Sequence, residues 1–159
     1  AGDKVVDVGA APGGWTQVIV ERVGPKGRVV AVDLQPMGAV AGASAIEADF
    51  LDPATPAKIR AALGGPADAV LSDLSPRATG HGPTDHIRIV ALAEAAFEFA
   101  CEILKPGGAF VAKVFQGGAE GELLRRLKRA FKTVRHAKPP ASRAASAETY
   151  VVAQGFRAS

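Results

Sequence analysis

Four short runs of this chain, Lys4–Val8, Arg28–Val32, Ala67–Leu71 and Ala109–Val114, are rich in Val, Ala and Leu and apolar on both alternating faces. A strand of that kind must be covered on two sides, as in a sheet sandwiched between helices. Helical periodicity occupies Thr16–Val23, Ala57–Leu63, Ile87–Leu104 and Gly121–Phe131, between and after those runs. The third of these helices runs into Lys105-Pro106-Gly107-Gly108, a cation followed by helix breakers. Such alternation implies βαβ units, and the fold class it predicts is α/β: a doubly wound, mostly parallel Rossmann-like sheet with helices on both faces. After Phe131 the pattern changes. Thr133–Ala137 and Thr149–Gln154 flank a Pro/Ala/Ser loop without a helix, so these two strands are predicted to be antiparallel neighbours. Residues 1–159 read as one domain, with no repeat, linker or low-complexity tract.

The 159 residues are 48% hydrophobic and 22% charged, which excludes a disordered tail and provides for a sizeable core. Cys101 is the one cysteine, so no internal disulfide is possible and a reducing, cytoplasmic location is expected. Lying mid-helix beside Phe97, Phe99 and Leu104, it reads as an inert core residue. Glu94, Glu98 and Glu102 interrupt the most apolar stretch, so no membrane span is expected, and no signal peptide is seen. The chain opens at Ala1 and meets a buried-strand pattern at once, which reads as a piece of something longer.

Charge is distributed unevenly. From Glu120 to Arg143, eight Lys or Arg face two Glu, a net +6, whereas the rest of the chain has 11 basic and 14 acidic residues, a net −3. One basic end on an acidic body suggests a polyanionic partner; a solubilising helix face is the alternative.

The first strand runs through Val8 into Gly9-Ala10-Ala11-Pro12-Gly13-Gly14-Trp15 and then a helix. Ligands of doubly wound sheets bind beyond the carboxyl ends of the strands, where glycines admit them to the backbone and helix N–H groups attract an anion. A dinucleotide fingerprint needs a glycine at the position of Ala11, and Pro12 has no N–H to offer. A pyrophosphate is therefore poorly served, whereas an amino-acid carboxylate fits Gly13 and Gly14. Asp33 ends the second strand about 20 residues after the glycines, where an acid accepts from two ribose hydroxyls. After the third strand, Glu47-Ala48-Asp49-Phe50 offers an acid and an aromatic for an adenine edge. A nucleoside with a carboxylate, a positive centre and no phosphate describes S-adenosylmethionine (S-adenosyl-L-methionine).

Four separated motifs carry a specific resemblance that covers essentially the whole chain in order. Asp7–Trp15, Ser72-Asp73-Leu74-Ser75-Pro76, Lys113-Val114-Phe115-Gln116-Gly117, and Lys138–Arg143 with Ser146–Tyr150 resemble the RrmJ/FtsJ family of S-adenosylmethionine-dependent ribosomal RNA 2′-O-methyltransferases. The resemblance implies the methyltransferase form of the sheet, with a final antiparallel strand. It assigns the catalytic carboxylates and the proton-accepting lysine to Asp73, Glu148 and Lys113, near the ends of the fourth strand, before the last strand and near the end of the fifth strand. Cofactor contacts are expected at Gly9, Gly13, Trp15, Asp33, Asp49 and Asp73. The implied substrate is a uridine of large-subunit ribosomal RNA within the ribosomal subunit, with Arg77, Lys138 and Arg143 as candidate RNA contacts; Arg77–Pro83 reads as a lid. Lys128 and Arg129 can be explained as helix solvation. The family's fourth catalytic member, a lysine upstream of the first strand, has no match here. A chain lacking it is expected to bind cofactor but methylate poorly.

Other chemistries fit less well. Base amino methylation uses an Asn/Asp-Pro-Pro-aromatic motif, which Ser72–Pro76 is not, and cytosine C5 methylation needs a nucleophilic thiol. His81, His86 and His136 are the only histidines, and no metal is expected. A nicotinamide-dependent oxidoreductase is disfavoured by Ala11 and Pro12. A non-catalytic RNA-binding module remains an alternative, and a small-molecule O-methyltransferase leaves the +6 segment unexplained. A monomer is expected.

Overall fold

The structure is a computed structural model describing residues 3–9, 14–24, 26–33, 42–48, 52–72, 82–115, 121–137 and 148–157; at 14–18, 82–92, 114–115, 121–122, 137 and 148–149 the backbone alone is described. The elements in chain order are β1 (Lys4–Val8), α1 (Gly14–Val23), β2 (Arg28–Asp33), β3 (Ala43–Glu47), α2 (Thr55–Leu63), β4 (Ala67–Ser72), α3 (Gly82–Ile103), β5 (Leu104–Phe115), α4 (Gly121–Ala130), β6 (Phe131–Ala137) and β7 (Glu148–Phe156). They form one seven-stranded sheet in the order β3-β2-β1-β4-β5-β7-β6. β1 pairs in parallel with β2 and β4, and β2–β3 and β4–β5 are also parallel. β7 is antiparallel to both β5 and β6, as the change of pattern after Phe131 predicts.

The two-faced apolar strands sort their side chains by alternation. On one face Val6, Val8, Val30, Val32 and Val70 meet Ile59 and Leu63 of α2, Phe97 and Ala100 of α3, and Leu123 and Leu127 of α4. On the other face Val5 and Val29 pack against Ile19 and Val23 of α1, the one helix on that side among the described residues. The antiparallel extension is pinned by aromatics: Phe110 meets Phe97 edge-on at 6.2 Å and stacks at 6.5 Å on Phe131, which lies 5.4 Å from Phe156.

Several boundaries differ from the sequence reading. α3 ends at Ile103, and Leu104 already belongs to β5, which is therefore longer than Ala109–Val114. Leu104 pairs with Ala67 and Ala109 with Ala69, so five steps along β5 match two along β4. The Lys105–Gly108 segment bulges near the start of β5, and Lys105 pairs with Asp68 of β4 instead of capping a helix. α4 passes straight into β6 at Phe131, whose ring is buried in the core. Cys101 is exposed and not a core residue, because it lies on the outward side of the last turn of α3. Burial of part of the thiol's surroundings, with Glu98 and Glu102 nearby, raises its pKa against the opposing effect of Arg126. Among the described residues no helix is long and apolar enough to cross a membrane.

Candidate functional site

Strand β1 lies at the topological switch point: the chain leaves it toward β2 and β3 on one side and returns to β4 on the other. In doubly wound sheets ligands bind at such a point, beyond the carboxyl ends of the strands on either side, here β1 and β4. The register defines what lines it. Ile46, Val32, Val8, Ser72, Ala112, Val151 and His136 form one continuous rung across all seven strands. One residue further along each parallel strand, toward the open edge, the chemistry appears. Glu47 pairs with Asp33, Gly9 follows Val8, and Lys113 pairs with Tyr150, which in turn pairs with Ala137.

Gly9 has φ 77°, a left-handed conformation costly for any residue with a Cβ, and its N–H donates to the Val32 carbonyl at 2.8 Å. This bond ties Gly9 to the end of β2, and the positive φ bends the chain there. The Ala48 N–H likewise donates to the Asp33 carbonyl at 2.9 Å, fixing the end of β3 beside that of β2. Asp33 and Lys113 are half-buried, and three strand spacings of roughly 4.8 Å separate their strands. An acid at β2, a side-chain-free turn at β1 and a lysine at β5 thus lie along one open edge. These groups fit a cofactor with ribose hydroxyls at one end and a reacting centre at the other.

The predicted site residues divide into three groups. Gly9, Asp33 and Lys113 are brought to this edge together. Trp15 lies in the first turn of α1 and Glu148, which the sequence reading put ahead of the last strand, is the first residue of β7 opposite Phe115, both by backbone alone. Gly13, Asp49, Asp73, Arg77, Lys138 and Arg143 lie outside the described residues, although Ser72, immediately before Asp73, is buried at the rung's centre.

Two further residues belong to the site's surroundings. Asp7 is 1% exposed in the middle of the sheet, two residues before Gly9, and Tyr150 is half-buried beside Lys113. Asp7, Asp33, Lys113 and Tyr150 each interact with another residue. A carboxylate inside Val5-Val6-Asp7-Val8 was the available sequence signal for the first, since a charge survives such burial only with a partner. Among the described residues no group of three or more His, Cys, Asp or Glu gathers as metal ligands.

Residues 1–156 match the family model of the FtsJ-like methyltransferases. The ribosomal RNA large subunit methyltransferase E of Paramagnetospirillum magneticum is 60% identical, over 99% of this chain and 67% of that protein. The protein of the same name from Gluconobacter oxydans is 56% identical, over 98% of this chain and 58% of its own length. The chain therefore spans roughly two-thirds or less of these two relatives. Among solved structures, a Plasmodium falciparum chain described as a ribosomal RNA methyltransferase superposes with TM-score 0.85 at 25% identity, covering 97% of this chain and 86% of that one. Human methyltransferase-like protein 13, in complex with S-adenosylhomocysteine, shares the fold with TM-score 0.67 at 18% identity, covering 97% and 72% respectively.

Proposed function

Because the chain belongs to the FtsJ-like methyltransferase family, we propose that it transfers a methyl group from S-adenosylmethionine to a ribose 2′-hydroxyl of large-subunit ribosomal RNA. The observation that carries this reading is the edge formed by Gly9, Asp33 and Lys113 at the sheet's switch point. When bound, the cofactor supplies an electrophilic methyl on a sulfonium.

The chain's own residues do the rest. Asp33 accepts from the cofactor's ribose hydroxyls, and the Gly9 turn keeps side chains out of the approach. Gly13, Trp15 and Asp49 complete the contacts to its amino-acid and adenine ends. The Lys113 amine accepts the proton of the attacking 2′-hydroxyl, while Asp73 and Glu148 orient that side chain and the acceptor ribose. Alignment of oxygen with methyl carries most of the barrier reduction, and proton removal adds about 10²–10⁴-fold. Arg77, Lys138 and Arg143 contact RNA phosphates around the acceptor. The uridine identity of the acceptor, action on the assembled subunit and a cytoplasmic setting belong to the same reading.

Calorimetric titration separates this function from nicotinamide chemistry on the same sheet. S-Adenosylmethionine is expected to bind and Asp33→Ala to weaken it about tenfold or more, with no heat from NAD. Heat from NAD alone would reverse the assignment.

A further inference from the structure

The basic segment identified in the sequence does not act as one surface once folded. Arg126 turns inward: its guanidinium lies 3.3 Å from Glu98 and 3.7 Å from Glu94, and 4.9 Å over the Phe97 ring. It docks α4 on α3. Lys128 and Arg129 are exposed in the last turn of α4, where the helix dipole alone can account for them. The dipole does not account for Lys132, on β6, or Arg157, just after the end of β7, both at the far end of the sheet from the Lys113 edge.

These two cations flank a cavity of about 450 Å³ lined by Gly107, Lys132, Gly155, Phe156 and Arg157. The Arg157 N–H donates to the Ala130 carbonyl at 2.8 Å, which holds Arg157 against the α4–β6 junction beside Lys128 and Arg129. Gly155 has φ 77°, and a Cβ there would come within 2.7 Å of the Lys132 Cβ. A glycine at 155 is thus what lets Lys132 lie across β7 at the mouth of the notch. Lys128, Arg129, Lys132 and Arg157 are all exposed, and among the described residues none has an ion-pair partner. Glu94 and Glu98, the acids of α3 that face α4, are committed to Arg126.

We propose that this α4–β6 corner is a second RNA-docking surface, in which Lys132 and Arg157 grip phosphates of the substrate's backbone at the end of the sheet remote from methyl transfer, with Lys128 and Arg129 alongside. The inference rests on the reading of the partner as RNA. From the corner, the edge strand β6 leads with exposed Arg135 to Ala137, which is level with Tyr150 and Lys113. A bound RNA therefore spans the full height of the sheet edge, and the corner fixes its register while base identity is read elsewhere.

The test is the salt dependence of binding to large-subunit ribosomal RNA by the Lys132→Glu/Arg157→Glu pair. A Lys26→Glu/Lys58→Glu pair matches its net charge, and Lys132→Gln/Arg157→Gln serves as a milder version. Each phosphate contact contributes roughly 0.7–0.9 to the slope of log affinity against log salt. The corner variants are expected to lose about tenfold or more in affinity and to flatten the slope by about 1.5, while binding S-adenosylmethionine as the unaltered chain does. The control pair is expected to change the slope little. An unchanged slope in the corner variants, or an equal loss in the control pair, would overturn the proposal. So would a loss on intact subunits with naked RNA unaffected, which would identify a protein partner. If the unaltered chain bound no ribosomal RNA, the functional reading itself would fall; if it bound and the corner substitutions left affinity and slope unchanged, the second surface alone would.

Discussion

Lys113 on β5 lies directly opposite Tyr150 on β7, in the antiparallel ladder that pairs Phe115 with Glu148 at its open end. Residues 37 positions apart in the chain are thereby set side by side at the edge where the parallel strands β1, β4 and β5 end. The final antiparallel strand thus contributes to the site as well as extending the sheet. Lys113→Met, which keeps an unbranched side chain of similar length and removes the proton acceptor, is expected to lower kcat about 100-fold or more. Its S-adenosylmethionine Kd should stay within a few-fold, as measured by calorimetry beside single-turnover kinetics.

Gly9→Ala forces a Cβ onto a φ of 77° at the turn off β1. The strain is about 1–2 kcal/mol, or about tenfold if it is expressed in the bound turn. Thermal unfolding and S-adenosylmethionine titration, read together, are expected to show a modest loss of stability and a clear loss of affinity.

Phe110 is fully buried and touches the rings of both Phe97 and Phe131. Phe110→Ala removes the link between α3 and the β6–β7 extension and leaves a cavity, at a cost of about 3–5 kcal/mol. Denaturant unfolding is expected to show this loss as a lower midpoint.

Asp68 illustrates a pH effect unconnected with the site. Desolvation pushes its carboxyl up, but the Lys105 ammonium and the Lys4 N–H at 2.7 Å outweigh it, and the net shift is downward. A carboxyl depressed on folding adds stability above its unfolded pKa, about 3.9, and loses that contribution as pH falls through the lower folded value. Lys105, raised by Asp68, adds stability below its unfolded pKa, about 10.4, and loses it as pH rises through the higher folded value. Asp68→Asn should therefore lower Tm between these limits and converge with the unaltered chain in strong acid. Melting curves from pH 2 to pH 9, a range set by those two limits, provide the check.

The parallel centre of the sheet was legible because β1, β2 and β4 are short runs rich in Val, Ala and Leu and apolar on both faces, whereas β3, half-buried or exposed along its length, carries no such signature. The candidate site was legible where a motif sits near a strand end: Gly9, Asp33 and Lys113 come to one edge because their strands run parallel and in register. Periodicity could not reveal the bulge at Lys105–Gly108, since a Pro-Gly-Gly run also terminates a helix and only pairing with Ala67 decides between the two. The exposure of Cys101 depends on which side of α3 meets the sheet, and a helix this apolar marks that side weakly. The division of the basic segment between an inward Arg126 and an outward corner was likewise hidden, because Glu94 and Glu98 lie about 30 residues away in sequence.

The most direct measurement is transfer of tritiated methyl from S-adenosylmethionine to large ribosomal subunits from cells lacking this activity, followed by digestion to nucleosides. The chain is expected to place label, slowly, on a ribose 2′-oxygen, with the label abolished by Lys113→Ala or Asp73→Ala. Label on a base, or label that persists in both variants, would contradict the account.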